Sequence, residues 1–198
     1  KDQFHPQGLA VDGEYIYWAN FPAAAVVGQG QIQRVALTGG KPVLLASNLP
    51  NPGNLVLDQT NIYFSNVVCC SSTIAKLLKT GGSPTSLATG QAGPQSAILF
   101  DGMLYWPNHV QNGAVMSVPV AGGVTTPVYA SLDRPQWVAA DAANIYWAEL
   151  EAGNIRKAPR AGGGQATPLA TGEKNPVLLT LTAQYLFWAN EDIMMRLT

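Results

Sequence analysis

Pro6-Gln-Gly-Leu-Ala-Val-Asp12, followed by Ile16-Tyr-Trp-Ala-Asn20, decides the fold, because the chain repeats these landmarks four more times. The aromatic pair Tyr17-Trp18 returns as Tyr63-Phe64, Tyr105-Trp106, Tyr146-Trp147 and Phe187-Trp188, with first members 46, 42, 41 and 41 residues apart. A proline precedes each pair: Pro6, Pro52, Pro94, Pro135 and Pro176. An aspartate closes the apolar run between proline and aromatics at Asp12, Asp58, Asp101 and Asp141, with Thr182 in the fifth copy. Just past the pairs stand Asn20, Asn66, Asn108, Glu149 and Asn190, and four copies go on to a glycine pair: Gly39-Gly40, Gly81-Gly82, Gly122-Gly123 and Gly162-Gly163. Landmarks that recur in one order at a near-constant period mark one structural unit copied five times.

Each copy reads as four short strands, in the first copy Gly8 to Val11, Tyr15 to Ala19, Gln31 to Leu37 and Pro42 to Ala46. Asp12-Gly13 and Asp101-Gly102 are hairpin dipeptides, and Gly39-Gly40 suits a two-residue turn that needs positive φ twice. Such tight antiparallel connections leave no room for crossover helices. A period of 40–45 residues carrying four strands is the signature of a β-propeller. The expected fold is therefore all-β: a propeller of five four-stranded antiparallel blades in one domain, 1–198, with repeats 5–49, 50–91, 92–132, 133–173 and 174–198. The last blade lacks its outer strand, and part of a six- or seven-bladed propeller is the alternative. Blades pack on both faces, which predicts continuous apolar strands such as Leu55-Val56-Leu57 and Ala97 to Phe100 in place of alternation.

A chain of 198 residues suits one domain. With 47% hydrophobic and 12% charged residues it has the means to bury a core, which excludes disorder. A net charge of −1 and a pI near 6.1 exclude the basic footprint of a nucleic-acid binder. Apolar runs such as 23–27 and 177–179 are far too short to span a membrane. The sequence begins at Lys1 with no visible signal peptide and reads as a mature or processed product, secreted or periplasmic. Cys69 and Cys70 are adjacent. Neighbouring Cα atoms lie about 3.8 Å apart, below the roughly 4.4–6.8 Å of ordinary disulfides, so two free thiols are expected over a strained vicinal bond.

Pro-x-Gly-Leu-Ala-Val-Asp with Ile-Tyr-Trp-Ala-Asn, then Gly30 to Val35 and a Gly-Gly turn, resembles the YWTD repeat of low-density-lipoprotein-receptor propellers. It is also similar to bacterial NHL-like and Vgb-like propellers, and the resemblance covers essentially the whole chain. The Thr-Asp of the motif is replaced here by Ala-Asn, Ser-Asn, Pro-Asn or Ala-Glu, and YWTD propellers close six blades where five repeats are counted here. In that family the matching acid braces neighbouring blades, so the resemblance implies bracing by Asn20, Asn66, Asn108, Glu149 and Asn190. Vgb-like lyases depend on a histidine and glutamate cluster in the late blades. The fourth and fifth copies here hold Glu149, Glu151, Glu173 and Glu191 but no histidine, so that activity is not implied.

Strand order puts the connections from second to third strand on the same side as those between blades, around the mouth of the central channel. The polar residues flanking the repeated proline there are the candidate ligand site: His5, Gln7, Asn51, Gln95, Arg134, Gln136 and Asn175, joined by Glu149 as the one acid opening a second-to-third connection. The first copy inserts Phe21 to Gly30 on that side, and the apolar Phe21, Pro22, Val26 and Val27 are a candidate partner-binding loop. The aspartates are expected to bond local amides in turns, and the aromatic pairs to fill the core. His5 and His109 are the only histidines, and no nucleophile elbow, Walker loop, metalloprotease helix or cysteine–histidine metal spacing appears. The expected function is a non-catalytic scaffold that binds a protein, a small molecule or a glycan without a cofactor. Its rivals are a hydrolase or lyase using Glu149 or His109 with a divalent cation in the channel, and a sugar-binding lectin.

Overall fold

The computed structural model describes residues 5–21, 28–68, 71–190 and 193–197, and these form 19 β-strands and no α-helix. They fall into two compact units, Lys1–Pro94 and Gln95–Thr198. The first unit holds two sheets, each with its strands in chain order: β1 (Pro6–Val11), β2 (Tyr15–Asn20), β3 (Gly30–Ala36) and β4 (Val43–Leu49), then β5 (Pro52–Leu57), β6 (Asn61–Asn66), β7 (Ser72–Leu78) and β8 (Thr85–Gln91). The second unit holds three. The third sheet is β9 (Ile98–Phe100), β10 (Met103–Asn108), β11 (Gly113–Pro119) and β12 (Thr126–Leu132), and the fourth is β13 (Pro135–Ala140), β14 (Asn144–Glu149), β15 (Asn154–Pro159) and β16 (Thr167–Ala170). The fifth has three strands among the described residues, β17 (Pro176–Leu181), β18 (Leu186–Asn190) and β19 (Ile193–Leu197). Every ladder within the sheets is antiparallel, so each sequence repeat is one meandering sheet.

Gly39 and Gly40 take the expected positive φ, 88° and 123°, a region open to glycine without steric penalty. They are not a two-residue hairpin, however: Arg34 pairs with Val43, and the glycines follow a turn closed by the Gly39 N–H on the Ala36 carbonyl within that longer connection. The two Asp-Gly dipeptides, however, are not alike. Phe100 pairs with Met103, leaving Asp101 (φ 50°) and Gly102 (φ 70°) as a two-residue turn with both φ positive. Val11 pairs with Ile16, so Asp12-Gly13 opens a four-residue turn instead, held by the Asp12 side chain. The physical reason is placement: with the same eleven residues from proline to aromatic, the aspartate stands four residues before Tyr105 but five before Tyr17.

Within each unit the sheets pack face on face. In the first unit Tyr17, Ile32 and Leu49 meet Leu55, Ile62 and Phe64 across the two sheets. In the second, Tyr105 and Val115 meet Ile145 and Trp147, while Tyr146 and Ile155 meet Leu186 and Trp188. Burying each such side chain contributes about 1.5–3 kcal/mol. Tyr63, Phe64, Trp106, Trp147 and Tyr17 are essentially inaccessible, so most of the aromatic pairs are core. The deepest strand of a sheet is the second, buried almost throughout in β6, β10 and β14. The apolar first strands are only half covered: Leu55 is buried but Val56, Leu57 and Ile98 to Phe100 are not, and Leu9 and Val11 in β1 are exposed.

Candidate functional site

Three of the repeats share a clasp that fixes the turn between first and second strands. Asp12 Oδ1 accepts the backbone N–H groups of Glu14 and Tyr15 at 2.9 and 2.8 Å, Asp58 those of Thr60 and Asn61 at 2.7 and 2.6 Å, and Asp141 those of Ala143 and Asn144 at 2.8 and 2.6 Å. The other oxygen accepts a tyrosine hydroxyl five residues on, from Tyr17 (2.9 Å), Tyr63 (2.6 Å) and Tyr146 (2.7 Å). Hydroxyl-to-carboxylate bonds of this length are charge-assisted and strong. Burial alone would raise these carboxyls, but the donors outweigh it. Asp58 is held down to about 2 by Tyr63 and the Asn61 and Thr60 amides, Asp12 lies lower still because Lys79 joins its donors, and Asp141 is also depressed. Burial, then the facing carboxylate, pushes the Tyr146 hydroxyl up to about 12.

In the first and fourth sheets the clasp faces a groove toward the next sheet of its own unit. Leu37, Lys79, Val120 and Arg160 hold one repeat position, each donating its N–H to the first-to-second turn of its own sheet. In the first unit Lys79 reaches back from the second sheet to the first: its Nζ lies 2.9 Å from Asp12 Oδ2 and over the Tyr17 ring. Arg34 of β3 stacks on Tyr15 and donates to the Lys79 carbonyl at 2.9 Å. In the second unit Arg160 reaches from the fourth sheet to the third, donating to the Tyr105 hydroxyl at 3.2 Å and lying over Phe100. Asp101 there is 3.5 Å from the guanidinium, its side chain 74% exposed.

On the opposite ends of the strands, the carbonyl before the repeated proline accepts the N–H of the residue that leaves the second strand: His5 from Phe21 (3.1 Å), Asn51 from Val67 (3.0 Å) and Arg134 from Leu150 (3.3 Å). Each unit thus brings its inter-sheet segments beside its second-to-third loops. His5, Arg134 and Asn175 hold left-handed φ of 26°, 44° and 49°, which Gly93 adopts without strain at the matching place in the third repeat. In the first unit His5 and Gln7 are exposed and Asn51 is half-buried, its amide donating to the Val67 carbonyl at 2.8 Å. In the second unit Arg134 is exposed and paired with Glu151 at 2.8 Å, Asn175 is exposed, and Gln95 and Gln136 are half-buried, the Gln136 Oε1 without a partner.

Glu149 is placed differently from the rest of that set. It is buried, and its carboxylate accepts from Trp147 Nε1 (3.2 Å), Asn154 (3.2 Å) and Arg156 Nε (2.8 Å), all within the fourth sheet. Glu173, ahead of the fifth sheet, takes the same part there, accepting from Trp188 Nε1 at 2.9 Å and from the Asn190 amide. Phe21 is half-buried; Pro22, Val26 and Val27 of the apolar loop, both cysteines and Glu191 lie outside the described residues. Among the described residues no three His, Cys, Asp or Glu side chains gather as metal ligands. The motif reading missed the Asp–Tyr clasp and its cations, although the signal was present: a spacing of five residues in three repeats and four in the third, and a Lys or Arg two residues before the glycine pair.

The class these features define is a β-propeller with YWTD- and NHL-like repeats. No protein-family model matches the sequence. The chain is 26% identical over 193 residues to the vitellogenin receptor Yl of Drosophila melanogaster, a match that covers 92% of this chain and 9% of the receptor. Among solved structures it superposes on a chain of a nidogen/laminin complex with a TM-score of 0.78 and 20% identity, covering 95% of this chain and 73% of that one. A catalytically inactive virginiamycin B lyase from Staphylococcus aureus with quinupristin gives 0.77 at 15% identity, covering 99% and 67%. At such identities the structural likeness establishes the fold.

Proposed function

We propose that the chain is a binding propeller acting outside the cytoplasm, and that it recognises a protein or glycan through the loop side of its sheets. The observation that carries the reading is the left-handed backbone at Arg134. A non-glycine residue in that region costs about 1–3 kcal/mol and persists where the surroundings enforce it, often at a functional surface. Here the strain stands ahead of proline, where the αR and αL regions are crowded, and accompanies an exposed guanidinium beside Glu151, with Gln136 and Asn175 on the same side of the second unit. Similarity to a segment of the vitellogenin receptor and to a propeller from a nidogen complex supports recognition of proteins. Labelled chain applied to arrays of extracellular proteins and glycans is expected to give hits that an R134A/Q136A variant loses; hits kept at full strength by the folded variant would sink the reading.

A lyase is the second reading, favoured by the virginiamycin B lyase likeness and by His109, whose Nδ1 is buried without a partner at the loop after β10. Glu149 is held by three donors and suits bracing better than proton transfer. Liquid chromatography with fragment-ion mass spectrometry of quinupristin incubated with the chain separates the two, since a ring opened by elimination keeps its mass: a linear isomer that H109A abolishes favours the lyase, and unchanged cyclic quinupristin favours binding.

A further inference from the structure

One position of the third strand distinguishes a single sheet from all the others. The residue paired with the first aromatic of each repeat is Arg34 opposite Tyr17, Lys76 opposite Tyr63, Lys157 opposite Tyr146 and Arg196 opposite Phe187, but Ser117 opposite Tyr105. Where the long cation is missing, between the third and fourth sheets, lies a cavity of about 380 Å³ lined by Ser117, Thr126, Tyr105, Val128, Arg160 and Gly162. The neighbouring turn also stands further off. A methyl group added to Gly81 would come within 2.9 Å of the Leu45 carbonyl, whereas one on Gly162 would be 3.6 Å from the equivalent carbonyl of Val128.

The lining is chemically specific. Ser117 and Thr126 hydroxyls sit 3.2 Å apart, one donating to the other, which leaves a hydroxyl proton for a further acceptor. Arg160 uses Nη1 on Tyr105 and Nη2 on the Ala142 carbonyl, while its Nε–H is buried with no partner. A guanidinium has five N–H donors in a planar fork that matches a carboxylate. A buried donor left unpaired is unfavourable, so an acceptor here restores the balance. Among the described residues Arg160 is the one cation lining the cavity, and Asp101 already lies 3.5 Å from it, which suits a singly charged anion better than a phosphate dianion.

We propose that this cavity is a binding site for a small carboxylate-bearing molecule, held by the Arg160 guanidinium and the Ser117–Thr126 hydroxyl pair. The site is separate from the loop-side reading above and does not depend on it. The test is a titration with acetate at constant ionic strength, following the arginine Nε–H signals by NMR. The expected result is a saturable shift of the Arg160 signal, weakened in S117A and lost in S117K, which installs the side chain that two other sheets carry. The remaining arginine signals in S117K report that it is folded. No saturable shift in the wild type, or one that survives in folded S117K, would overturn the proposal; if S117K does not fold, an affinity unchanged in S117A does so.

Discussion

The groove between the first and second sheets and the groove between the third and fourth are built from the same repeat positions, and they have come to opposite ends. In the first, Asp12 clasps Tyr17, Lys79 reaches across to the clasp, and Arg34 lies over Tyr15 and ties down the Lys79 carbonyl. In the second, a turn two residues shorter withdraws Asp101, Arg160 turns to the Tyr105 hydroxyl, and Ser117 leaves a cavity where a cation would lie. The difference teaches that a repeat can keep its four-stranded sheet while exchanging a bridge between sheets for a chamber, through a shorter turn and the loss of one long cation from the third strand.

The comparison breaks most readily at its aspartates. Asp12→Ala strands the part-buried Lys79 ammonium, the Tyr17 hydroxyl and two amides, and is expected to lower the unfolding free energy by about 1–3 kcal/mol; Asp101→Ala, at an exposed carboxylate, should change it by less than about 0.5 kcal/mol. Urea unfolding of the two variants gives the contrast directly. Removing only the charge, Lys79→Met, is expected to cost about 1 kcal/mol, an effect that shrinks with added salt. Arg34→Ser, which imitates the third sheet in the first, should cost roughly 0.5–1 kcal/mol through the lost ring contact, and the same variant should gain a cavity visible by crystallography.

Acid sharpens the contrast further. The clasp carboxyls titrate lower folded than unfolded, so their contribution is fully present above the unfolded value near 3.9 and is lost as pH falls through the folded one, about 2 for Asp58. Thermal unfolding followed from pH 5 to pH 2 should show stability declining over that window. In Asp58→Asn the decline should be shallower, from a lower starting stability. An unchanged slope would mean that the clasp does not set the acid limb.

The sheets were legible because strand-and-turn chemistry is local: proline, aspartate, aromatic pair and glycine pair each act within a few residues, and their period exposes the copying. The loop-side residues were legible by topology, since antiparallel order alone puts His5 beside Phe21 and Arg134 beside Leu150. Partners were harder. Glu149 looks like a free acid in a loop until Trp147, Asn154 and Arg156 are seen around it, and Arg160 is an ordinary turn cation until the fold puts Tyr105, 55 residues earlier, against it. Half-buried first strands such as Ile98 to Phe100 read as fully buried because an apolar run does not say which of its faces meets a neighbour. Ser117 is legible only by register: it stands out once the other four partners of the first aromatics are lined up beside it.

A crystal structure of Ser117→Lys tests most directly whether one repeat position decides between bridge and chamber. The account predicts the new ammonium inside the groove near Tyr105, the cavity filled, and the backbones of both sheets where they were. A lysine pointing to solvent above an unchanged cavity would contradict it.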